Sequence, residues 1–378
     1  VTGAPLKNKK IGICHQTVTA GDAIGNDIAG MYDLLESMGL EVRILCELAH
    51  PAIEAARHVR MPCEDRECAE YDALIYHHSI HWEKGERWLN AFDGPVVLRY
   101  HNITPASFFA PYSALYGERC HRGREQTRRF IKERRHCRWM AASGYNRREL
   151  LASGEAMERV SVVPPFNKAE EFLSRPRTDV LPPGAPLRIL SVGRVAPHKG
   201  HFELLKIVKL LRDTMGRDPR LRIVGACDDE TAGYRAFLDS VIRRWGLENR
   251  VRLLELEHVS HNKLYELFRT SHVYLCTSQY EGFCLPVVEA QAAGLPVVAA
   301  NAGAVAETAG PGQLVLPPPR SEEGFLRYAQ LVDRVCSDGE LRRKVVSGGY
   351  RNVMANFTRE TVENRFVQSF EPVLRALA

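Results

Sequence analysis

The chain has 378 residues, 45% apolar and 26% charged, with a formal net charge of +5. That length holds two domains of ordinary size, and the composition is that of a globular protein rather than a disordered or fibrous one. A net +5 is too small to argue for a nucleic-acid partner, and no apolar run approaches the roughly 20 residues of a membrane-spanning helix.

Lys7-Asn-Lys-Lys10 leads into a short strand pattern and not into an apolar run, so no secretory signal is expected there. Ile11-Gly-Ile-Cys14 reads as that strand. Thr17-Val-Thr-Ala-Gly21-Asp22-Ala-Ile-Gly25-Asn26 follows, and Asp22 either caps the next helix or holds a ligand hydroxyl. Ile28, Met31, Tyr32, Leu35 and Met38 recur at helical spacing, with Gly39 as a stop. Glu41-Val-Arg-Ile-Leu45, Ala73-Leu-Ile-Tyr76, Val96-Val-Leu-Arg-Tyr100 and Arg138-Trp-Met-Ala-Ala142 are further strands, with a helix from about Asn146. Such alternation implies a parallel sheet covered by helices. Ser161-Val-Val-Pro-Pro165 opens a polar stretch with Pro176, Pro182, Pro183 and Pro186, the expected linker.

A second series starts at Leu187-Arg-Ile-Leu-Ser-Val192. It continues through Leu221-Arg-Ile-Val224, Val251-Arg-Leu-Leu254, Val273-Tyr-Leu-Cys276 and Pro296-Val-Val-Ala-Ala300. The expected domains are 1–180 and 187–361, both doubly wound α/β, with a last helix over 362–378. Each such sheet offers a crevice at its carboxyl edge. Neither half carries G-x-G-x-x-G, which speaks against a dinucleotide dehydrogenase.

Three clusters in the first half invite other readings. His77-His78-Ser-Ile-His81, with Cys63 and Cys68 upstream, matches no zinc-ligand spacing, so no metal is expected. Ten cysteines lie without paired spacing, and Cys14, Cys46 and Cys276 fall in apparent strands. They read as free buried thiols of a cytoplasmic protein. Between Arg119 and Arg138, nine Lys/Arg stand against two Glu, a local +7 that leaves the remainder near neutral. A helix from about Arg124 is expected there, and Phe130, Ile131 and Trp139 make no broad apolar stripe. The patch is either a solvated basic helix or a peripheral contact for anionic headgroups or a diphosphate-linked lipid.

The most informative stretch is Glu281-Gly-Phe-Cys-Leu-Pro-Val-Val-Glu289, followed by Gly294-Leu-Pro-Val-Val. It places two carboxylates around a loop that turns into a helix, at most roughly 12 Å apart if most of the segment is helical. Helix-start N–H groups between them suit an anion. One acid can accept hydrogen bonds from sugar hydroxyls, the other can take the two hydroxyls of a ribose, and a diphosphate can lie between. Gly193-Arg194-Val-Ala-Pro-His198-Lys199-Gly200, after the first strand of the second series, adds two cations for that diphosphate.

With these residues the chain resembles the retaining nucleotide-sugar glycosyltransferases of family four, which have the GT-B fold: two Rossmann-like domains facing across a cleft. The resemblance covers almost the whole chain and is strongest from about Leu187 to Gly310. It implies a donor-binding second domain and an acceptor-side first domain, with the last helix crossing back onto the first. It gives Glu281 to the transferred sugar and Glu289 to the ribose. Arg194, Lys199 and the helix start at Gly282, Phe283, Cys284 and Leu285 would hold the diphosphate, with no metal or other cofactor. It gives His101, in Arg99-Tyr-His-Asn-Ile-Thr104, to the transferred sugar, and makes the aromatic Pro105-Ala-Ser-Phe-Phe-Ala-Pro-Tyr112 an acceptor-side loop or plain packing. The family carries Gly-Gly where this chain has Gly21-Asp22. Gly225-Ala226-Cys227 and His258-Val259-Ser260 match the nucleobase pocket. The implied activity is transfer of a hexose, from GDP-mannose or a UDP-hexose, to a glycan or lipid-linked glycan in polysaccharide or lipopolysaccharide synthesis. A same-fold epimerase and a silent sugar-nucleotide-binding subunit remain open.

Overall fold

The structure is a computed structural model, and it describes residues 9–60, 64–173, 179–255 and 259–377. Cys63, Pro176, His258 and the first residues of the Lys7–Lys10 run lie outside the described residues. The chain divides into two compact units. The first comprises the described residues of Val1–Ile103, Arg119–Lys168 and Arg359–Ala378, the second those of Thr104–Glu118 and Ala169–Thr358.

In the first unit the strands are β1 (Lys10–Cys14), β2 (Thr17–Val18), β3 (Glu41–Leu45), β4 (Leu48–Ala49), β5 (Val59–Arg60), β6 (Ala73–His78), β7 (Val96–Tyr100), β8 (Arg138–Ala141) and β9 (Val160–Val162). Seven of them form one parallel sheet in the order β5-β3-β1-β6-β7-β8-β9, and β2 and β4 pair separately. Every residue of β6 and β7 is buried, as expected of central strands covered on both faces. The helix Ala23–Ser37 sets Ile28, Met31, Tyr32 and Leu35 onto the sheet. The C-terminal helix Arg359–Leu377 adds Val362, Phe366, Phe370, Val373 and Leu374 to the same core. Each such side chain contributes about 1.5–3 kcal/mol by leaving water.

The basic helix runs from Ala114 to Glu133, ten residues earlier than the sequence suggests. Gly117 and Gly123 dilute its helical signal. Gly123 has a packing reason, since a Cβ there would come within 2.7 Å of the His81 amide nitrogen. Nor is the helix simply solvated. Phe130 and Ile131 are buried on it, and Trp139 is buried on β8. Arg129 pairs with Glu86 at 2.8 Å, Arg134 donates to the Leu89 carbonyl at 3.1 Å, and Arg124 donates to that of Ile103 at 2.8 Å. Arg128, Lys132, Arg135 and Arg138 remain exposed. Among the described residues, no helix is long and apolar enough to cross a membrane.

The second unit holds β10 (Leu187–Val192), β11 (Pro219–Val224), β12 (Val251–Leu254), β13 (Val273–Cys276), β14 (Val297–Ala300) and β15 (Leu314–Leu316), a parallel sheet in the order β12-β11-β10-β13-β14-β15. Both of its faces are covered. Ile189 and Leu190, neighbours on β10, enter opposite apolar clusters. Residues 104–118, which strand alternation assigns to the first half, belong here. The Phe109 ring lies 5.6 Å from His198, and Tyr112 lies 5.0 Å from Tyr234. The aromatic loop therefore packs on the second unit. Phe172 packs 5.2 Å from Phe268, and the boundary falls at Lys168/Ala169, within the expected linker stretch but before its later prolines.

Candidate functional site

Strand order in the second unit reverses at β10 and β13, and the loops leaving these strands carry the predicted cations and the first acid. Lys199 lies in the single turn Pro197–Lys199, with its Nζ 2.8 Å from Glu281 Oε1. The two loops are tied by Thr277, whose hydroxyl donates to the Gly200 carbonyl at 2.7 Å. Burial alone would lower the Lys199 pKa, but Glu281 outweighs it and the net shift is upward, so the ammonium stays charged.

Glu281 is held from behind. Its carbonyl accepts the Ala304 amide at 2.9 Å. Gly303, at φ +61°, passes so close that a Cβ would stand 2.1 Å from that carbonyl oxygen. Gly303→Ala is therefore expected to cost about 2 kcal/mol or more in denaturant unfolding, by combined left-handed strain and overlap. An unchanged midpoint would show that the loop yields freely.

The helix Leu285–Ala292 begins at Cys284, which takes the left-handed conformation (φ 77°, ψ 63°) as its N-cap. Non-glycine residues seldom adopt it, and such strain concentrates at sites of function. The Thr308 hydroxyl donates to the Phe283 carbonyl at 2.5 Å and pins the approach. The first-turn amides of a helix have no intrahelical acceptor, so this turn is suited to an anion. Leu285 and Cys284 are buried, while Gly282 and Phe283 are half-buried. Glu289 is buried within the helix. Burial, with nearby Glu171 adding to it, pushes its carboxyl up to about 7.

Sequence reasoning reads Cys276 as a buried strand thiol but misses what it meets. Its sulfur lies 3.8 Å from that of Cys284, and with Glu281 the pair forms a set whose ligand atoms lie within 4.8 Å of one another. The spacing of eight residues across the loop is its only sequence trace.

Arg194 is already engaged. Its Nε and Nη2 lie 2.9 and 2.7 Å from Asp228 Oδ2. Nη2 also donates to Glu230 at 3.1 Å, and Nη1 to the Tyr116 hydroxyl at 2.7 Å. Burial opposes its charge, but Tyr116 and Asp228 together raise the pKa. An incoming diphosphate would compete with both carboxylates. Asp228 and Glu230 follow the Gly225–Cys227 loop and Tyr116 comes from the 104–118 segment, so their meeting with Arg194 is a product of tertiary folding. Val259 is half-buried against the cluster that contains Leu285.

In the first unit, His101 Nε2 lies 2.8 Å from His77 Nδ1 and 3.6 Å from Asp27 Oδ2. Asp27 also accepts from Arg99 Nε and from the Phe166 amide, each at 2.8 Å. Burial, and then the Arg99 cation, hold the His101 pKa well below the usual range, so the ring is neutral. The ligand atoms of Asp27, His77 and His101 lie within 4.8 Å of one another. Asp27 and Arg99 could have been flagged as charges set in an apolar helix face and an apolar strand. Of the two readings of Asp22, the cap is formed: it accepts from the Gly25 amide at 2.5 Å and from the Thr19 hydroxyl. Gly21 is exposed at φ +88°.

Residues 177–352 match the family model described as Glycosyl transferases group 1. D-inositol 3-phosphate glycosyltransferase of Nocardia farcinica is 26% identical over 306 residues, 76% of this chain and 62% of that protein. MMP alpha-(1->4)-mannosyltransferase of Mycolicibacterium hassiacum is 28% identical over 196 residues, 50% of this chain and 44% of that protein. The chain thus spans less than two thirds of the length of these relatives. The crystal structure of Anabaena HepE in complex with UDP-glucose matches with a TM-score of 0.74 at 19% identity, over 96% of this chain and 99% of that one. The fold is GT-B, and the second unit carries a group 1 glycosyltransferase domain.

Proposed function

We propose that the chain transfers a hexose from a nucleoside diphosphate donor, with retention of configuration, to a glycan or lipid-linked glycan in polysaccharide or lipopolysaccharide synthesis. The reading rests on one observation: the Lys199–Glu281 pair stands at the reversal point of the second sheet, directly before a helix start. Glu281 takes the sugar hydroxyls, Glu289 the ribose, and Arg194, Lys199 and the amides at Phe283–Leu285 the diphosphate. As the C1–O bond to phosphate breaks, these groups stabilise the charge that grows on the leaving oxygen. The acceptor oxygen bonds to C1 on the same face and its proton passes to the departing phosphate. His101, neutral and fixed by His77, orients the sugar. The positive charge comes from side chains, so the reaction is proposed to run without a divalent ion.

A UDP-hexose or GDP-mannose is the proposed donor; the mannosyltransferase name of one relative and the UDP-glucose in one neighbour support this choice. A cytoplasmic site of action, peripheral on the membrane, is supported by the free thiols of the described cysteines and by exposed Arg128, Lys132, Arg135 and Arg138.

Thermal shift across UDP, GDP, ADP, TDP and their sugars, with and without Mg²⁺, tests the donor side. One nucleotide is expected to raise the melting temperature selectively, whether or not Mg²⁺ is present. Arg194→Ala and Lys199→Ala should each weaken its binding about tenfold or more. No shift with any nucleotide, or unchanged affinity in both variants, overturns the assignment.

A further inference from the structure

Among the described residues, two sets of three side chains bring possible metal ligands within 4.8 Å of one another. In the first, Asp27, His77 and His101, the carboxylate is already engaged. It accepts from Arg99 Nε and Nη2 at 2.8 and 3.3 Å and from the Phe166 amide at 2.8 Å, and a guanidinium so close repels a second cation. The second set is Cys276, Glu281 and Cys284, whose thiols have no part in the chemistry proposed above.

The contacts that shape the donor loop also build this set. Cys276 ends β13 and Cys284 caps the helix Leu285–Ala292, so the chain leaves a strand, rounds a loop and brings its second sulfur back to 3.8 Å from the first. The loop between them is pinned three times: Thr277 to the Gly200 carbonyl, the Ala304 amide to the Glu281 carbonyl, and Thr308 to the Phe283 carbonyl. All three candidate ligands are buried.

Their spacing suits a tetrahedral ion. Zinc bonds sulfur at about 2.3 Å, which sets two thiolates about 3.8 Å apart, and a carboxylate oxygen at about 2.1 Å stands about 3.6 Å from each. The sulfurs already have that separation. The carboxylate, within 4.8 Å of both, has to close by no more than about 1.2 Å to each. Thiolates are soft donors, so they select zinc over the hard magnesium ion. Charge balances as well. Each thiol releases its proton to water as its bond to zinc forms, so two protons leave for one double charge. Glu281 keeps Lys199 as its counter-charge at 2.8 Å, and the buried cluster carries the same net charge before and after. The Ser278 hydroxyl, 3.5 Å from Cys276 Sγ, can donate to the thiolate once it is formed.

We propose that Cys276, Cys284 and Glu281 bind one zinc ion, with a fourth position left to water. An ion there takes the carboxylate that the sugar hydroxyls need, so zinc opposes transfer. The site stands apart from the glycosyltransferase reading; only its effect on turnover rests on that reading.

The test is titration of zinc into the full chain, kept reduced by a phosphine, in competition with a chromogenic chelator. The parent is expected to bind one ion that Cys276→Ser and Cys284→Ser each bind about a hundredfold more weakly or not at all. Excess Mg²⁺ should not displace it. Cobalt in its place should show a thiolate charge-transfer band in the parent that falls by half or more in each variant. Cooperative denaturant unfolding near the parent midpoint shows that a variant is folded, and either variant suffices for the comparison. Equal zinc affinity in parent and folded variants, or a parent cobalt spectrum without that band, overturns the site. Saturating zinc should stop sugar transfer by the parent and leave Cys276→Ser active. Transfer unaffected by bound zinc overturns Glu281 as the third ligand. A chain that binds zinc through these thiols but transfers no sugar upholds the site and overturns the glycosyltransferase reading.

Discussion

Glu281→Ala is expected to lower sugar transfer and donor hydrolysis by roughly a thousandfold, in the range seen when one transition-state contact is removed. It is also expected to cost about 3 kcal/mol of stability, because Lys199 would be left largely buried without its counter-charge. The two losses can be separated. Glu281→Ala/Lys199→Ala removes the stranded ammonium along with the acid, so much of the stability should return while turnover stays absent. Denaturant unfolding of the four proteins in the cycle gives the coupling between the two residues. If the double variant is as unstable as the sum of the singles, the pair is not what holds these loops together. If Glu281→Ala still turns over donor at the parent rate, the catalytic assignment fails independently.

Glu289 makes the second large prediction, in the opposite direction. Its carboxyl titrates at about 7 in the folded chain instead of the ordinary 4.5, first because it is buried and then because Glu171 is near. As pH rises, the unfolded chain loses this proton first. Between 4.5 and about 7 the folded state still holds it, so stability falls across that window and levels off above it. The shift corresponds to about 3 kcal/mol. Glu289→Gln is therefore expected to be more stable than the parent near neutral pH and above, by about that order, with the difference vanishing at about pH 4. Nucleotide binding should move the other way. An ionised Glu289 accepts ribose hydroxyls better than a protonated one, so parent affinity should strengthen through pH 7 while the glutamine variant stays flat and weaker. Superimposable pH–stability curves for the two proteins would sink the account of burial; a parent affinity independent of pH would sink the ribose assignment.

Much of this was legible in the sequence. The strands appear where the runs of Val, Ile and Leu stand, because central parallel strands are buried on both faces and leave an unbroken apolar record. The Lys199–Glu281 contact was foreshadowed by two motifs, each locally complete. What sequence did not reveal is what depends on distant partners. Arg194 looks like a free cation in its own loop, yet Asp228, Glu230 and Tyr116 reach it from segments 34, 36 and 78 residues away. His101 looks like a lone loop histidine until Asp27, His77 and Arg99 close around it. The basic run between Arg119 and Arg138 reads as one surface, but folding engages Arg124, Arg129 and Arg134 with groups of their own unit and sets Arg119 and Arg122 along a cleft. Residues 104–118 were misplaced for the same reason: chain order assigns them to one unit, while their aromatic rings find partners in the other.

The C-terminal helix has a consequence for biosynthesis. Val362, Phe366, Phe370 and Val373 belong to the same core as Ile11, Ile13 and Ile28. A ribosome makes those residues first and this helix only after all of residues 169–358. The unit begun earliest must therefore wait, with an apolar face uncovered, while the other is made and can fold. Domain-by-domain folding in order of synthesis, the usual expectation for a two-unit chain, would be inverted here. Nascent chains stalled before residue 359 should present a protease-sensitive first unit beside a protected second one.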